Sequence, residues 1–252
     1  MRPYLAVFVV TLLITPAFAN ERRFGYSYEA TTVPKGQFEL ENWITYKHGT
    51  QADSDFRRVQ FRHELEYGLT DRLQLDVYLA DWSWTDAGRG AASTTKYDDS
   101  AVVLKVNWLD PALEGFGVST YHEVKVGDEF IELENKLIVQ QNVDRFVGIY
   151  NLTLEAEWEG RDYEENNGEI INSLGLSYEF SPRVLMGVEA VHEIPLPDWK
   201  TGAHQRVLAG PNLSYRFGGA NGWWLTTTAL QQVTGADDEA EFELRVIVGV
   251  SL

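Results

Sequence analysis

From Phe38 to Leu252 the chain alternates apolar with polar or charged residues in runs of roughly ten, each closed by a turn. No segment carries the helical period that would supply a cover for the apolar face. An apolar side that recurs in every run, with no protein layer to bury it, predicts that lipid is the cover. Strands cross a bilayer only as a closed barrel, because each backbone N–H and C=O must find a partner within the sheet. The alternation therefore predicts an all-β fold, a closed antiparallel transmembrane β-barrel in a bacterial outer membrane.

The clearest run places Tyr150, Leu152, Leu154, Ala156 and Trp158 on one face and Asn151, Thr153, Glu155 and Glu157 on the other, with aromatic residues where the membrane interfaces fall. Comparable runs begin near Gln37, Phe56, Arg72, Ala101, Phe116, Phe130, Leu174, Met186, Arg206, Trp223 and Phe242, giving about twelve strands. An even number returns both ends of the barrel chain to one side. Ser83 to Asp99 reads as a long extracellular loop, and Pro211 predicts a bulge or local irregularity within its strand. Asn42, His63, His122, Asn135 and His192 fall on outward faces, where a bulge would be needed to turn them inward.

Upstream, Met1-Arg2, an apolar stretch from Tyr4 to Ile14, Pro16 and the small-x-small sequence Ala17-Phe18-Ala19 predict a secretory signal over residues 1–19. Residues 20–36 are then a short periplasmic segment, and residues 37–252 a single barrel domain. No later stretch approaches the roughly eighteen apolar residues of a spanning helix. The absence of cysteine excludes a disulfide framework and thiol chemistry. A formal charge of -17 argues against nucleic acid as a partner and permits cations. The expected partners are outer-membrane lipid and lipopolysaccharide, the outer-membrane assembly machinery, and a small-molecule cargo.

Three segments carry more than alternation: Glu66-Tyr-Gly-Leu-Thr-Asp-Arg-Leu-Gln-Leu75, Gly210-Pro-Asn-Leu-Ser-Tyr-Arg-Phe217 and Arg245-Val-Ile-Val-Gly-Val-Ser-Leu252. The first resembles the second turn of uncharacterised outer-membrane barrels grouped as putative phenol-degradation-pathway transporters, and the other two are similar to segments of the same family. The resemblance implies a barrel and a transport role, and it transfers no catalytic residues. The final Leu252 departs from the Phe or Trp with which such barrels commonly end.

The candidate functional residues are the charges of inward parity. Acidic ones are Glu39, Glu41, Glu64, Glu66, Asp76, Glu132, Glu134, Glu155, Glu157, Glu189 and Glu243; basic ones are Arg58, Arg62, Lys105, Lys136, Arg206, Arg216 and Arg245. Rings of charge set selectivity along a narrow aqueous path. Paired across the lumen, the same charges would instead fill a small barrel. The expectation is a passive channel or transporter for small molecules or ions, against the alternative of a plugged structural or binding barrel. Trp43 is of inward parity, whereas the other tryptophans suit an interfacial girdle.

The acidic loops around Asp162 to Glu165 and Asp237 to Glu241 lack the ligand order of a calcium loop and read as solvated charge. A hydrolase is the third reading, and it would rest on His122. No nucleophile motif, phosphate loop, dinucleotide fingerprint or metal-ligand histidine spacing accompanies it, so neither enzymatic activity nor a cofactor is expected.

Overall fold

The structure, a computed structural model, describes residues 21–201, 203–217, 222–236 and 239–252. The expected signal peptide lies outside these residues. The barrel opens with β1 (Phe38–His48), β2 (Arg57–Thr70), β3 (Leu73–Tyr78), β4 (Trp82–Asp86), β5 (Thr94–Tyr97) and β6 (Asp99–Leu109). A one-turn helix, α1 (Pro111–Glu114), leads to β7 (Phe116–Gly127), β8 (Phe130–Val143), β9 (Phe146–Glu159) and β10 (Glu165–Ser181). It closes with β11 (Val184–Pro197), β12 (Arg206–Arg216), β13 (Trp224–Gln232) and β14 (Phe242–Ser251).

These segments form one antiparallel sheet in which sequence neighbours pair throughout, except that β4 returns to pair with β2 and β6 with β3. Pairing of β1 with β14, from Glu39 opposite Ser251 to His48 opposite Phe242, closes the ring. Because β4 continues the line of β3, and β5 that of β6, the ring is a 12-strand barrel. The span expected as one loop from Ser83 to Asp99 is thus mostly the β4–β5 hairpin. Beyond the membrane a ladder needs no apolar face, so Thr85, Asp86, Thr94 and Lys96 pair as strands without alternation.

Side-chain parity follows the pleat. Leu104, Leu133, Leu154, Leu174, Leu176 and Val188 are exposed on the outer face, which lipid covers. Their neighbours face the interior. The connections after β2, β8 and β10 are two residues each, and most of the long ones lie at the opposite end, as outer-membrane barrels place their periplasmic turns and extracellular loops. Two connections at the turn end are longer, β6–β7 and β12–β13, and the first has a local cause. Asp110 caps α1 by accepting from the Ala112 N–H at 2.9 Å, Pro111 fixes the first helical residue, and Gly115 ends the helix at φ 70°.

Two expectations about irregularity are resolved. At Pro211 the structure has the local irregularity and not the bulge: β12 keeps one register on β13 on either side of it, and pairing lapses at Gly210 and Pro211, where the proline has no N–H to give. The outward polar residues are not turned inward. His63 Nδ1 lies 2.8 Å from Asn42 Oδ1 and His122 Nδ1 lies 2.7 Å from Asn135 Oδ1, each pair directly opposite across a ladder, while His192 Nε2 lies 2.8 Å from Gln205 Oε1. Mutual bonding satisfies these groups where lipid offers no partner.

Residues 21–36, expected outside the barrel in the periplasm, are the largest departure. They enter the lumen from the turn end beside Gly68, rise to mid-height around Gly25 to Tyr28, and return to the turn end, where Glu21 pairs with Arg216. Phe24, Ala30 and Val33 are buried inside the barrel. At the entry the Gly36 N–H donates to Gly68 O at 2.8 Å, and a Cβ on Gly68 would lie 2.2 Å from Pro34 O. Only glycine at position 68 leaves room for the segment.

Candidate functional site

The lumen wall is the candidate site, and period two decides its composition. Glu39, Glu41, Glu64, Glu66, Asp76, Lys105, Glu132, Glu134, Lys136, Glu189, Arg206 and Glu243 are buried on the inner face. Arg58, Arg62, Glu155, Glu157, Arg216 and Arg245 share that face and are half-buried. Register then sets like charges side by side. Glu39 stands opposite Glu66, which stands opposite Asp76, and Glu41 stands opposite Glu64. Further round, Glu123, Glu134, Glu155 and Glu169 form one rung across four strands. Like charges directly opposite repel, so each ladder needs a cation or a proton to offset it.

Around the second ladder the wall supplies its own cations. Lys125 Nζ sits 2.6 Å from Glu132 and within 3.7 Å of both Glu123 and Glu134, and Lys136 Nζ is 2.7 Å from Glu134. Higher in the lumen Arg206 lies 2.5 Å from Glu243 and 3.0 Å from Glu193, with Lys47 Nζ 3.3 Å from Glu243. The first ladder draws on the inserted segment instead. Arg22 Nε reaches both oxygens of Glu41, at 3.0 and 2.8 Å, and its guanidinium stacks between Tyr28 and Trp43 at 4.2 and 4.5 Å from the ring centres.

The wall also receives the backbone of that segment. Glu189 accepts from three successive N–H groups, Gly25 at 2.8 Å and Tyr26 and Ser27 at 2.9 Å, and from Thr228 Oγ1 at 2.7 Å. Asn151 both accepts from the Tyr28 N–H at 2.6 Å and donates to Tyr28 O at 3.0 Å, as a neighbouring strand would. Gln140 takes the Ala30 N–H at 2.8 Å, Gln74 the Val33 N–H at 2.7 Å, and Asn212 donates to Arg23 O at 2.8 Å. Buried backbone without secondary structure needs such partners. Phe24 packs on Gly175, where an added Cβ would lie 2.6 Å from the ring.

These contacts divide the lumen. At mid-height Tyr28, Trp43, Tyr78, Tyr121 and Trp224 form a buried waist, with the Tyr78 and Tyr121 hydroxyls 2.7 Å apart. On the loop side lies a polar vestibule of about 550 Å³ lined by residues including Arg58, Asp98, Asp99 and Glu157. On the turn side is one of about 340 Å³ lined by residues including Arg23, Glu29, Asp71 and Arg216. There burial holds the Glu29 carboxyl above its ordinary value, against the opposing pull of Arg23, 3.2 Å away.

Several functional residues were missed in the sequence. Gln74, Gln140, Asn151 and Asn212 look neutral there; the usable signal is that carboxamides of inward parity can satisfy an inserted backbone. Trp224, assigned to the interfacial girdle, is wholly buried in the lumen and donates to Glu39 at 3.2 Å. His122, on which a hydrolase would depend, faces lipid. Of the acidic loops, Asp237 and Asp238 lie outside the described residues.

The family model for a family of unknown function (DUF6662) matches residues 16–245, and the chain belongs to that family. No curated protein sequence matches it. In fold the barrel is similar to the COG4313 outer membrane channel from Pseudomonas putida F1, at 12% identity and TM-score 0.63, over 89% of this chain and 98% of that one. It is also similar to the NanC porin, at 11% identity and TM-score 0.55, over 84% and 100% of the two chains. The translocator domain of the autotransporter NalP from Neisseria meningitidis matches at 14% identity and TM-score 0.53, over 86% and 88%. At such identities the likeness is one of fold, that of an outer-membrane barrel. The family match does not carry the phenol-pathway name that the sequence resemblance suggested.

Proposed function

We propose that the protein is a passive channel for small cations, closed at rest by its own N-terminal segment and opened when that segment withdraws toward the turn end. The supporting observation is the manner of docking. Residues 22–33 contribute no strand to the sheet and are held by wall side chains, chiefly Glu189, Asn151, Gln140 and Gln74, so they can leave without breaking the barrel ladder. Their departure takes Arg22 and Tyr28 out of the waist and leaves a wall with an excess of carboxylates, whose field favours cations. Structural neighbours described as a channel and a porin favour the same reading.

Planar-bilayer recording tests it. A variant lacking residues 21–35 is expected to conduct where the full-length protein stays mostly closed, with a reversal potential under a salt gradient that marks cation preference. Small aromatic solutes, suggested by the sequence resemblance to phenol-pathway transporters, are added as blockers. Silence from the deletion variant would overturn the channel reading in favour of a permanently closed structural barrel, for which the buried ion pairs of Lys125, Lys136 and Arg206 speak.

A further inference from the structure

The first acidic ladder remains short of positive charge even with the segment docked. Glu39, Glu41, Glu64, Glu66 and Asp76 are all buried, and the cations set among them are Arg22 and Lys105, the latter opposite Gln74 on the next strand. Arg22 is committed to Glu41. Its Nη2 stands 3.6 Å from Glu64 and 3.8 Å from Glu66, too far for a hydrogen bond. Glu64 has a side chain with 0% exposure, and neither of its carboxylate oxygens, nor Oε2 of Glu66, has a hydrogen-bond partner among the described residues. A carboxylate without a hydrogen bond at such burial carries a desolvation cost of several kcal/mol, which the Arg22 guanidinium, shared among three carboxylates, offsets only in part.

We infer that Glu64, Glu66 and Asp76 hold a calcium-class divalent cation inside the barrel. One carboxylate oxygen from each residue lies within 4.8 Å of the other two. Two oxygens bound to one calcium ion at about 2.4 Å lie at most about 4.8 Å apart, so three carboxylates at these separations can share one ion once their side chains close in on it. Three carboxylates can supply up to six hard oxygens, the lower end of calcium's coordination number. The ion would bridge β2 and β3 at the rungs where like charges face one another, and it would use the oxygens that Arg22 leaves free. A comparable cluster, Glu132, Glu134 and Glu155, does not need one, because Lys125 and Lys136 already lie among its carboxylates.

The test uses the leader-free chain refolded in detergent without lipopolysaccharide, stripped with EDTA, and read by terbium luminescence excited through tryptophan and by thermal unfolding. Trp43 and Trp224 lie on the adjoining rungs. The expected result is one terbium site per chain, displaced by calcium, and an upward shift of the unfolding midpoint on adding calcium. Glu64→Gln and Asp76→Asn each lose both responses, whereas the loop variant Asp162→Asn/Glu164→Gln keeps them. The inference is overturned if the unmodified protein shows no calcium response; a gain of stability as pH falls would then identify protons as what the ladder shares. It is equally overturned if the response persists in Glu64→Gln. Conductance is not read, so either outcome is independent of whether the barrel is a channel.

Discussion

Glu189→Gln isolates the grip of the wall on the inserted segment. In the docked state each carboxylate oxygen of Glu189 accepts two bonds, Oε1 from the Gly25 N–H and Thr228 Oγ1 and Oε2 from the Tyr26 and Ser27 N–H groups. A carboxamide keeps one acceptor and turns an NH₂ group toward backbone N–H donors that have no lone pair to offer, Thr228 Oγ1 alone being able to accept from it. Hydrogen bonds to a charged group contribute about 1.5–3 kcal/mol each, so two lost bonds set a ceiling of about 6 kcal/mol. Rotation of Thr228 and a choice of amide orientation recover part of this, leaving about 3 kcal/mol. That corresponds to a roughly 100-fold shift from docked toward withdrawn segment. Trypsin reads the shift directly, because cleavage after Arg22 and Arg23 requires withdrawal, and bilayer recording reads it as more frequent opening. Barrel integrity is checked by heat-modifiable migration on gels. If Glu189→Gln leaves Arg22 and Arg23 as protected as before, and the channel as closed, the segment is not held by this carboxylate and the docking argument fails.

Gly175→Val places a Cβ 2.6 Å from the Phe24 ring and is expected to loosen the segment by about 1–3 kcal/mol while the barrel folds normally, again read by tryptic cleavage. On the lipid face, Asn42→Leu leaves His63 without its partner and should lower stability to urea by about 1–3 kcal/mol; Asn42→Leu/His63→Phe should recover most of it, a result that unrelated sites would not give. Glu29 has its carboxyl raised by burial when docked, against Arg23, Lys105 and Arg22. The docked state therefore binds more protons than the withdrawn one. This contribution to docking is full below the ordinary carboxylate value of 4.5 and is lost as pH rises through the raised one, so tryptic protection of Arg23 should weaken from pH 4 to pH 7, and Glu29→Gln should flatten that dependence.

The wall of this barrel is legible in the sequence because a pleat admits only two directions, and one of them must be apolar in lipid. That is why runs such as Tyr150 to Trp158 locate their strand and its inner face together. The rule loses force wherever neither face meets lipid. The β4–β5 hairpin stands where Thr94, Thr95 and Lys96 can pair without alternation, and Trp224 has an aromatic ring that period alone assigns as readily to an interface as to a packed lumen. The inserted segment is less legible still. Residues 21–36 have no period because they make no ladder, and their partners are far off in the chain: Tyr28 with Asn151, Gly25 with Glu189, Arg22 with Glu41.

The ladders connect the wall to the segment energetically. A wall built only to enclose water would gain nothing from setting Glu41 opposite Glu64 and Glu66 opposite Asp76, since each such pair opposes closure of the β1–β2–β3 sheet. A wall built to receive cations gains a site of high negative potential, and in the docked state Arg22 takes part of it. The segment therefore occupies a place that mobile cations would compete for, and its hold combines backbone bonds that are indifferent to salt with an ion pair set in a low-dielectric waist. Screening acts weakly on such a buried pair. Added monovalent salt should accordingly do far less to release the segment than removal of the Glu189 carboxylate, which separates a hydrogen-bonded plug from one held by charge alone.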